Sequence, residues 1–137
     1  MIMKISENFS LSEFTNSDTA NKHGVDNTPN DEQIENIKQL VINILQPVRD
    51  LHGKPITINS GFRCERLNFL VGSKNTSQHL KGEAADITAG SKAENKKLFD
   101  LIAKSGLKYD QLIDENKYQW IHISHRKNNN RQQILHL

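Results

Sequence analysis

The sequence predicts an α+β fold in which helices pack on a small, mostly antiparallel sheet. Two observations predict it. The first half of the chain carries the clearest helical spacing of apolar residues, and the last third consists of short segments in which apolar and polar residues alternate. The length of 137 residues suits one domain with a single core, so we expect one domain over residues 1–137.

Three helices are predicted. The first lies in TPNDEQIENIKQLVINILQPVRDLHG, where Asn30 or Asp31 can cap the start and Gly53 ends the segment. Pro47 lies inside the periodic run and predicts a kink or a break, because proline cannot donate the helical hydrogen bond. A short helix is predicted around CERLNFLV. An amphipathic helix is predicted over SKAENKKLFDLIAKSG, with Ser91 as its cap.

The strands are predicted from alternation and from the turn residues that bound them. In KPITINSGFR, Ile56 and Ile58 alternate with polar residues, and the strand ends at Ser60-Gly61. A polar loop, GSKNTSQHLKG, precedes a second strand in EAADIT. The last third, YDQLIDENKYQWIHISHRKNNNRQQILHL, predicts three short strands, of which the first two form a hairpin.

Charge and composition restrict the class of partner. The chain has 18 lysines and arginines against 16 acids, a net charge of +2, which argues against nucleic acid but permits attraction to an anionic surface such as a cell wall. The single cysteine, Cys64, excludes an internal disulfide, and we expect it to be a small buried residue. We find no apolar run of membrane-spanning length and no signal-peptide pattern, so we expect no membrane insertion and a protein that is cytoplasmic as synthesised, and monomeric.

Three separated residues have the chemistry of a metal site. His79 lies in the polar loop, Asp86 follows seven residues later in a strand, and His122 lies in the alternating segment WIHIS. Two imidazoles and one carboxylate are a common ligand set of catalytic zinc, which leaves a fourth position for water. The same three residues could instead be a turn cap, a solvated loop residue and a core histidine. Spacing alone leaves both interpretations open, because separated ligands carry no local signature.

A resemblance to a known family bears on this choice. It rests on two short patterns, Ser77-x-His79-x-x-Gly82-x-Ala84-x-Asp86 and Trp120-x-His122. These patterns resemble the signature of the M15 family of zinc D-Ala-D-Ala peptidases and of the related phage endolysins and hedgehog-like domains. FSLSEFTNSDTANKHGVDNTP, LQPVRDLHGKPITINSGFR and YDQLI also agree, so that the resemblance covers residues 9 to 126. It implies a hedgehog/DD-peptidase-like fold and a Zn²⁺ ion held by His79, Asp86 and His122.

The resemblance also implies roles in substrate binding. Arg63, in the SGFR segment, takes the position of an arginine that binds the substrate carboxylate, and we predict it as a catalytic and substrate-binding residue. Ser77 is predicted to hold the ligand loop or to touch the substrate. Trp120 shares a strand face with His122 and is predicted to wall the pocket, although a large aromatic is also a common core residue.

The general base is the point at which this chain departs from the family pattern. The well-studied members place an acid three residues before the final histidine, where this chain has Gln119. An amide cannot act as a base near neutral pH, so Gln119 is assigned to substrate binding. An acid shortly after DQLI is common in this branch of the family, which nominates Glu115.

The hairpin register bears on the same question. A two-residue turn at Lys117-Tyr118 would place Glu115 opposite Trp120, on the face of His122. A turn one residue longer would present Asp114 instead. We therefore predict Glu115 as the catalytic base, with Asp114 and then Glu83 as alternatives.

The function that this resemblance implies is zinc-dependent hydrolysis of peptide bonds in peptidoglycan stem peptides. The protein would be a D-Ala-D-Ala carboxypeptidase or a cross-link endopeptidase, and the lack of a signal peptide favours a phage or prophage lysin. The main alternative is a non-catalytic zinc-containing module that binds cell-wall peptides or a protein partner. A metal-free structural domain is the third.

Overall fold

The strands form two sheets in a computed structural model that describes residues 3–137. In chain order they are β1 (Lys4–Ser6), β2 (Phe9–Ser10), β3 (Thr57–Ser60), β4 (Ala84–Thr88), β5 (Gln111–Glu115), β6 (Trp120–Ser124) and β7 (Gln133–His136). β1 and β2 form a hairpin, and the others form a five-stranded sheet in the order β3-β4-β6-β5-β7. In that sheet β7 is parallel to β5, and the other pairs are antiparallel. The predicted fold class is confirmed.

The described residues contain six α-helices. They are α1 (Ser12–Thr15), α2 (Asp18–Lys22), α3 (Asp31–Leu40), α4 (Gln46–His52), α5 (Glu65–Leu70) and α6 (Lys92–Lys104). The hairpin β1–β2 and the helices α1 and α2 were not predicted, because they are too short to show a period in the sequence. They are held by tertiary contacts: Phe9 and Phe14 are buried, and the Phe14 carbonyl accepts a hydrogen bond from Phe62 N (2.7 Å).

The predicted first helix extends from α3 through a π-helical turn, Val41–Leu45, into α4. Asn30 caps its start through a capping box with Gln33, in which each side chain bonds the other's backbone N–H at 2.8 Å. The helix does not break at Pro47. The π-helical turn directly precedes the proline, and such a turn is where a continuous helix accommodates a local irregularity of its hydrogen bonds. Gly53 ends the helix in the left-handed conformation, as predicted.

The other two predicted helices are α5 and α6. Ser91 caps α6 by accepting a hydrogen bond from Glu94 N (3.1 Å). Cys64 precedes α5 and is half-buried at the edge of the core, so it is less buried than predicted. None of the helices within residues 3–137 combines the length and the apolar character needed to span a membrane. The signal-peptide prediction concerns in part Met1 and Ile2, which lie outside the described residues.

The two faces of the five-stranded sheet differ in character. One face contributes to the core, together with residues of α3, α4, α6 and the π-helical turn; its members include Ala85, Ile87, Leu112, Ile121 and Ile123. Side chains alternate along a strand, so the intervening residues lie on the opposite side. We call this side the open face; it carries Asp86 of β4, Gln111, Ile113 and Glu115 of β5, and Trp120 and His122 of β6. Strand alternation therefore places four of the eight residues predicted for the site on one surface.

Candidate metal centre and active site

The three side chains predicted as metal ligands lie together. His79 Nε2 is 3.4 Å from Asp86 Oδ1, and His122 Nδ1 is 3.1 Å from the same oxygen. Ligand atoms about 2.05 Å from a tetrahedral zinc ion stand roughly 3.3 Å apart. The spacing therefore fits one small divalent cation, and three protein ligands leave a fourth position for water or substrate.

Strand pairing brings two of these ligands together. Asp86 and His122 are direct cross-strand partners in the antiparallel ladder of β4 and β6. Opposite residues of such a ladder point to the same face with their Cβ atoms about 5 Å apart. The third ligand, His79, comes from a 3₁₀ turn, Gln78–Lys81, that precedes β4.

The ring of His79 is oriented by a backbone carbonyl. His79 is almost fully buried, and its Nδ1 donates to the Gly61 carbonyl at 2.6 Å. A carbonyl oxygen only accepts, so in the neutral ring the proton lies on Nδ1 and the lone pair on Nε2 faces Asp86. Glycine at position 61 lets this segment pack closely against α1, because a Cβ there would lie 2.7 Å from the Cα and the carbonyl oxygen of Phe14. The segment around Gly61 thus prepares His79 for ligation.

Gly82 ends the ligand loop where no other residue fits. Its φ is +77°, and a Cβ there would lie 2.6 Å from the carbonyl oxygen of Gln33. We expect Gly82→Ala to lower the free energy of unfolding by about 3 kcal/mol, from the left-handed strain and the clash together. Chemical denaturation measures the loss. The matched control is Gly72→Ala, at φ +75° with open space around it, which carries only the strain; equal losses in the two variants would contradict this prediction.

Asp86 is ionised in this arrangement. Burial alone would raise its pKa, but hydrogen bonds from the protonated forms of His122 and His79, and the positive charges of those forms, outweigh burial and hold the pKa well below its usual range. A bound cation would act in the same direction. The carboxylate is therefore in the form that binds a metal.

Arg63 reaches the same pocket with its charge available. Its guanidinium donates to four neutral oxygen atoms: Asn68 Oδ1 (3.2 Å), Ser73 Oγ (3.4 Å), Ser60 Oγ (3.5 Å) and Ser77 Oγ (3.5 Å). Burial lowers the pKa of Arg63, and the charge of Asp86 opposes that effect; arginine stays protonated. These partners position the guanidinium without neutralising it. Asn68, which is buried, was not predicted, and no sequence signal connects it with Arg63.

Ser77 has a structural contact of its own. Its Oγ accepts a hydrogen bond from His79 N (3.2 Å) and caps the 3₁₀ turn that carries the histidine. These contacts are those of a residue that holds the ligand loop, one of the two roles predicted for Ser77.

The register between β5 and β6 places Glu115 on the same face of the sheet as His122. Glu115 is paired with Trp120 and Ile113 with His122, so Glu115 lies on the open face. Asp114 lies on the opposite face, where it is buried and hydrogen-bonded to the ring of His136. The structure thus contradicts the register that would have presented Asp114 to the site.

The hairpin turn is longer than predicted. It comprises four residues, Asn116–Gln119, of which Asn116, Lys117 and Tyr118 have positive φ angles of 49°, 57° and 66°. Asn95 of α6 holds it by donating to the carbonyls of Tyr118 (2.9 Å) and Gln119 (3.1 Å). The Gln119 side chain accepts from Asn116 Nδ2 (2.6 Å) within the turn. The structure therefore does not bring Gln119 to the predicted ligands.

The charge environment of Glu115 suits proton transfer. Burial raises its pKa; the positive charge of His122 opposes this, and the negative charges of Asp86 and Asp114 add to it. A carboxylate whose pKa is raised is a stronger base than an ordinary surface glutamate. Glu83 is less well placed as a base, because its side chain accepts a hydrogen bond from Gln78 Nε2 (3.4 Å) within the loop.

These groups line one pocket of about 470 Å³. Seven predicted residues line it: Arg63, Ser77, His79, Asp86, Glu115, Trp120 and His122. Among the lining residues that were not predicted are Gln111 and Ile113, which alternation back from Glu115 could have identified, and Arg126 and Arg131. The two arginines come from the segment after β6, where the sequence shows no period to follow.

Comparison with known proteins agrees with this geometry. A zinc D-Ala-D-Ala carboxypeptidase from Streptomyces albus G is 50% identical to this chain over 48 residues, which are 34% of this chain and 19% of that protein. The match thus spans only a small part of the relative's length. The pattern of the family described as Peptidase M15 matches residues 7–124, most of the chain and all of the candidate ligands. The chain therefore belongs to the peptidase M15 family, as the sequence patterns predicted.

Proposed function

We propose that this protein is a zinc-dependent peptidase that hydrolyses peptidoglycan stem peptides. One observation carries the proposal: a two-histidine, one-aspartate cluster with zinc-like spacing lies in the same pocket as a carboxylate base and a charged arginine. Membership of a peptidase family supports it. The Streptomyces relative, which is named a zinc carboxypeptidase, supports the choice of metal and substrate.

The metal would be held by His79 Nε2, Asp86 and His122 Nδ1. A zinc ion bound there supplies Lewis-acid chemistry, polarising the scissile carbonyl and lowering the pKa of water. The hydrogen bond from His79 to Gly61 keeps the ring in its ligating orientation throughout. Asp86 contributes one negative charge, so the centre retains a net positive charge that attracts the carbonyl oxygen.

Glu115 is the proton carrier of the reaction. Its carboxylate accepts a proton from the attacking water and returns it to the leaving amine. Its place beside Trp120 on the open face, in the pocket that the ligands line, supports this role. The acid that family members carry at the position of Gln119 is thus replaced by one four residues earlier.

Arg63 binds a carboxylate of the peptide and so selects the bond that meets the metal. A planar guanidinium can hold a carboxylate through two parallel hydrogen bonds. A guanidinium in the same pocket as the ligands suits a terminal carboxylate, which favours removal of a C-terminal D-alanine. Trp120 forms part of the pocket wall against which the peptide packs.

The test is mass spectrometry of the peptides that zinc-loaded protein releases from purified peptidoglycan, with chelator-stripped protein as control. We expect zinc-dependent release of D-alanine. Opened cross-links would indicate an endopeptidase instead, the cut expected of a wall-degrading phage lysin. No release by protein shown to hold zinc would contradict the hydrolase and leave a module that only binds wall peptides.

A further inference from the structure

A second group of charges lies in the pocket beyond the metal ligands. Asp110, just before β5, is completely buried and bonds two arginines. Arg131 donates from Nε to Oδ1 (2.9 Å) and from Nη2 to Oδ2 (2.8 Å), and Arg126 Nε forms an ion pair with Oδ2 at 3.1 Å. Both arginines line the pocket. The mechanism above uses neither.

The charges of this group do not balance. One carboxylate faces two guanidinium groups, so a net charge of about +1 remains at this end of the pocket. Each guanidinium has five N–H donors; Asp110 accepts two hydrogen bonds from the Arg131 guanidinium and forms an ion pair with Arg126, so both arginines keep donors for another acceptor. The two side chains are 41% and 43% exposed, whereas Asp110 is inaccessible. Asp110 thus orients the two guanidinium groups, and a net positive charge remains.

The backbone around these arginines is also held. Arg126 N donates to Asn130 Oδ1 (2.7 Å), Asn130 Nδ2 donates to the Arg126 carbonyl (2.9 Å), and Arg131 N donates to Asp110 Oδ1 (3.0 Å). Both ends of the connection from β6 to β7 are therefore anchored. Such preorganisation lowers the entropy lost when a ligand binds.

We propose that Arg126 and Arg131 form a second carboxylate subsite, which selects stem peptides carrying an acidic residue on the acyl side of the scissile bond. The inference rests on the proposed function. Arg126 follows His122 by four residues, which is at most roughly 13 Å of extended chain. An arginine side chain can reach back over part of that distance, so the carboxylate belongs to a residue about two to four positions from the bond at the metal.

The test compares matched peptides that end in D-Ala-D-Ala and carry either glutamate or glutamine at the second, third or fourth residue before the scissile bond. For the zinc-loaded wild type we expect kcat/KM to favour glutamate about tenfold at one of these positions. In Arg126→Gln the preference should fall to about threefold or less, while Asp110 stays paired with Arg131. Thermal melting checks that the variant is folded.

Lys127→Gln is the matched control, because it removes the same charge from the adjacent, exposed position; its preference should equal that of the wild type. No preference at any position in the wild type, or an unchanged preference in Arg126→Gln, would overturn the subsite. If no peptide is cleaved, the proposed activity fails. Calorimetric dissociation constants of the same peptides then still test the subsite, with the same expected ratios.

Discussion

Replacing Glu115 by glutamine is expected to lower kcat/KM for peptide hydrolysis by about 10²- to 10⁴-fold, because an amide cannot take the proton of the attacking water. Zinc content should not change, since Glu115 is not one of the clustered ligands. Steady-state kinetics and elemental analysis on the same preparation measure both quantities.

Two further variants make this test specific to position 115. Asp114→Asn removes a neighbouring carboxylate that faces away from the pocket, so hydrolysis should stay within about threefold of the wild type. Gln119→Glu, added to Glu115→Gln, should not restore hydrolysis, because residue 119 lies in the turn. Restored turnover in that double variant, or full activity in Glu115→Gln, would contradict the assignment of the base.

Replacing His79 by alanine is expected to weaken zinc binding by at least about a hundredfold and to abolish hydrolysis. The change removes a ligand whose ring is fixed by the Gly61 carbonyl, and nothing else in the loop supplies an imidazole. Competition with a chelator of known affinity measures the loss. His23→Ala is the matched control, because His23 is exposed and outside the cluster; its affinity should equal that of the wild type.

A second variant separates ligation from loop stability. Asp86→Asn keeps the shape of the side chain and leaves the His79 loop intact, yet it removes the charge that the cation requires. It should therefore lose zinc as His79→Ala does, with a smaller loss of thermal stability. Stoichiometric zinc at wild-type affinity in either variant would show that the cluster is not the metal site.

The elements that sequence predicts well here are those stabilised by their own residues. α3 has its capping box in Asn30 and Gln33, and α6 has its cap in Ser91. The residues that stabilise the starts of both helices are therefore neighbours in the sequence. α1 and α2 are different. They are stabilised by partners that are distant in the sequence, such as Gly61 against Phe14. Such contacts cannot be predicted from the local pattern of residues.

The same distinction holds at the site. The motif predicted that His79, Asp86 and His122 lie together, and the pairing of residues across the hairpin predicted that Glu115 lies on the face of His122; the structure has both placements. The predicted length of the hairpin turn was wrong, because the turn is held by Asn95 of α6, more than twenty residues away, which donates to two of its carbonyls. Arg126 and Arg131 were not predicted, because only the folded chain shows that both form ion pairs with the buried Asp110.

The pairing of Asp86 with His122 has a consequence for folding. A slip of one residue between β4 and β6 would turn one of the two side chains to the core face, and the cluster would be lost. Metal uptake therefore requires the correct ladder, not merely a collapsed chain. The protein can be refolded with cobalt in place of zinc. The appearance of the cobalt absorption bands then measures when β4 pairs with β6, and circular dichroism measures separately when the helices form.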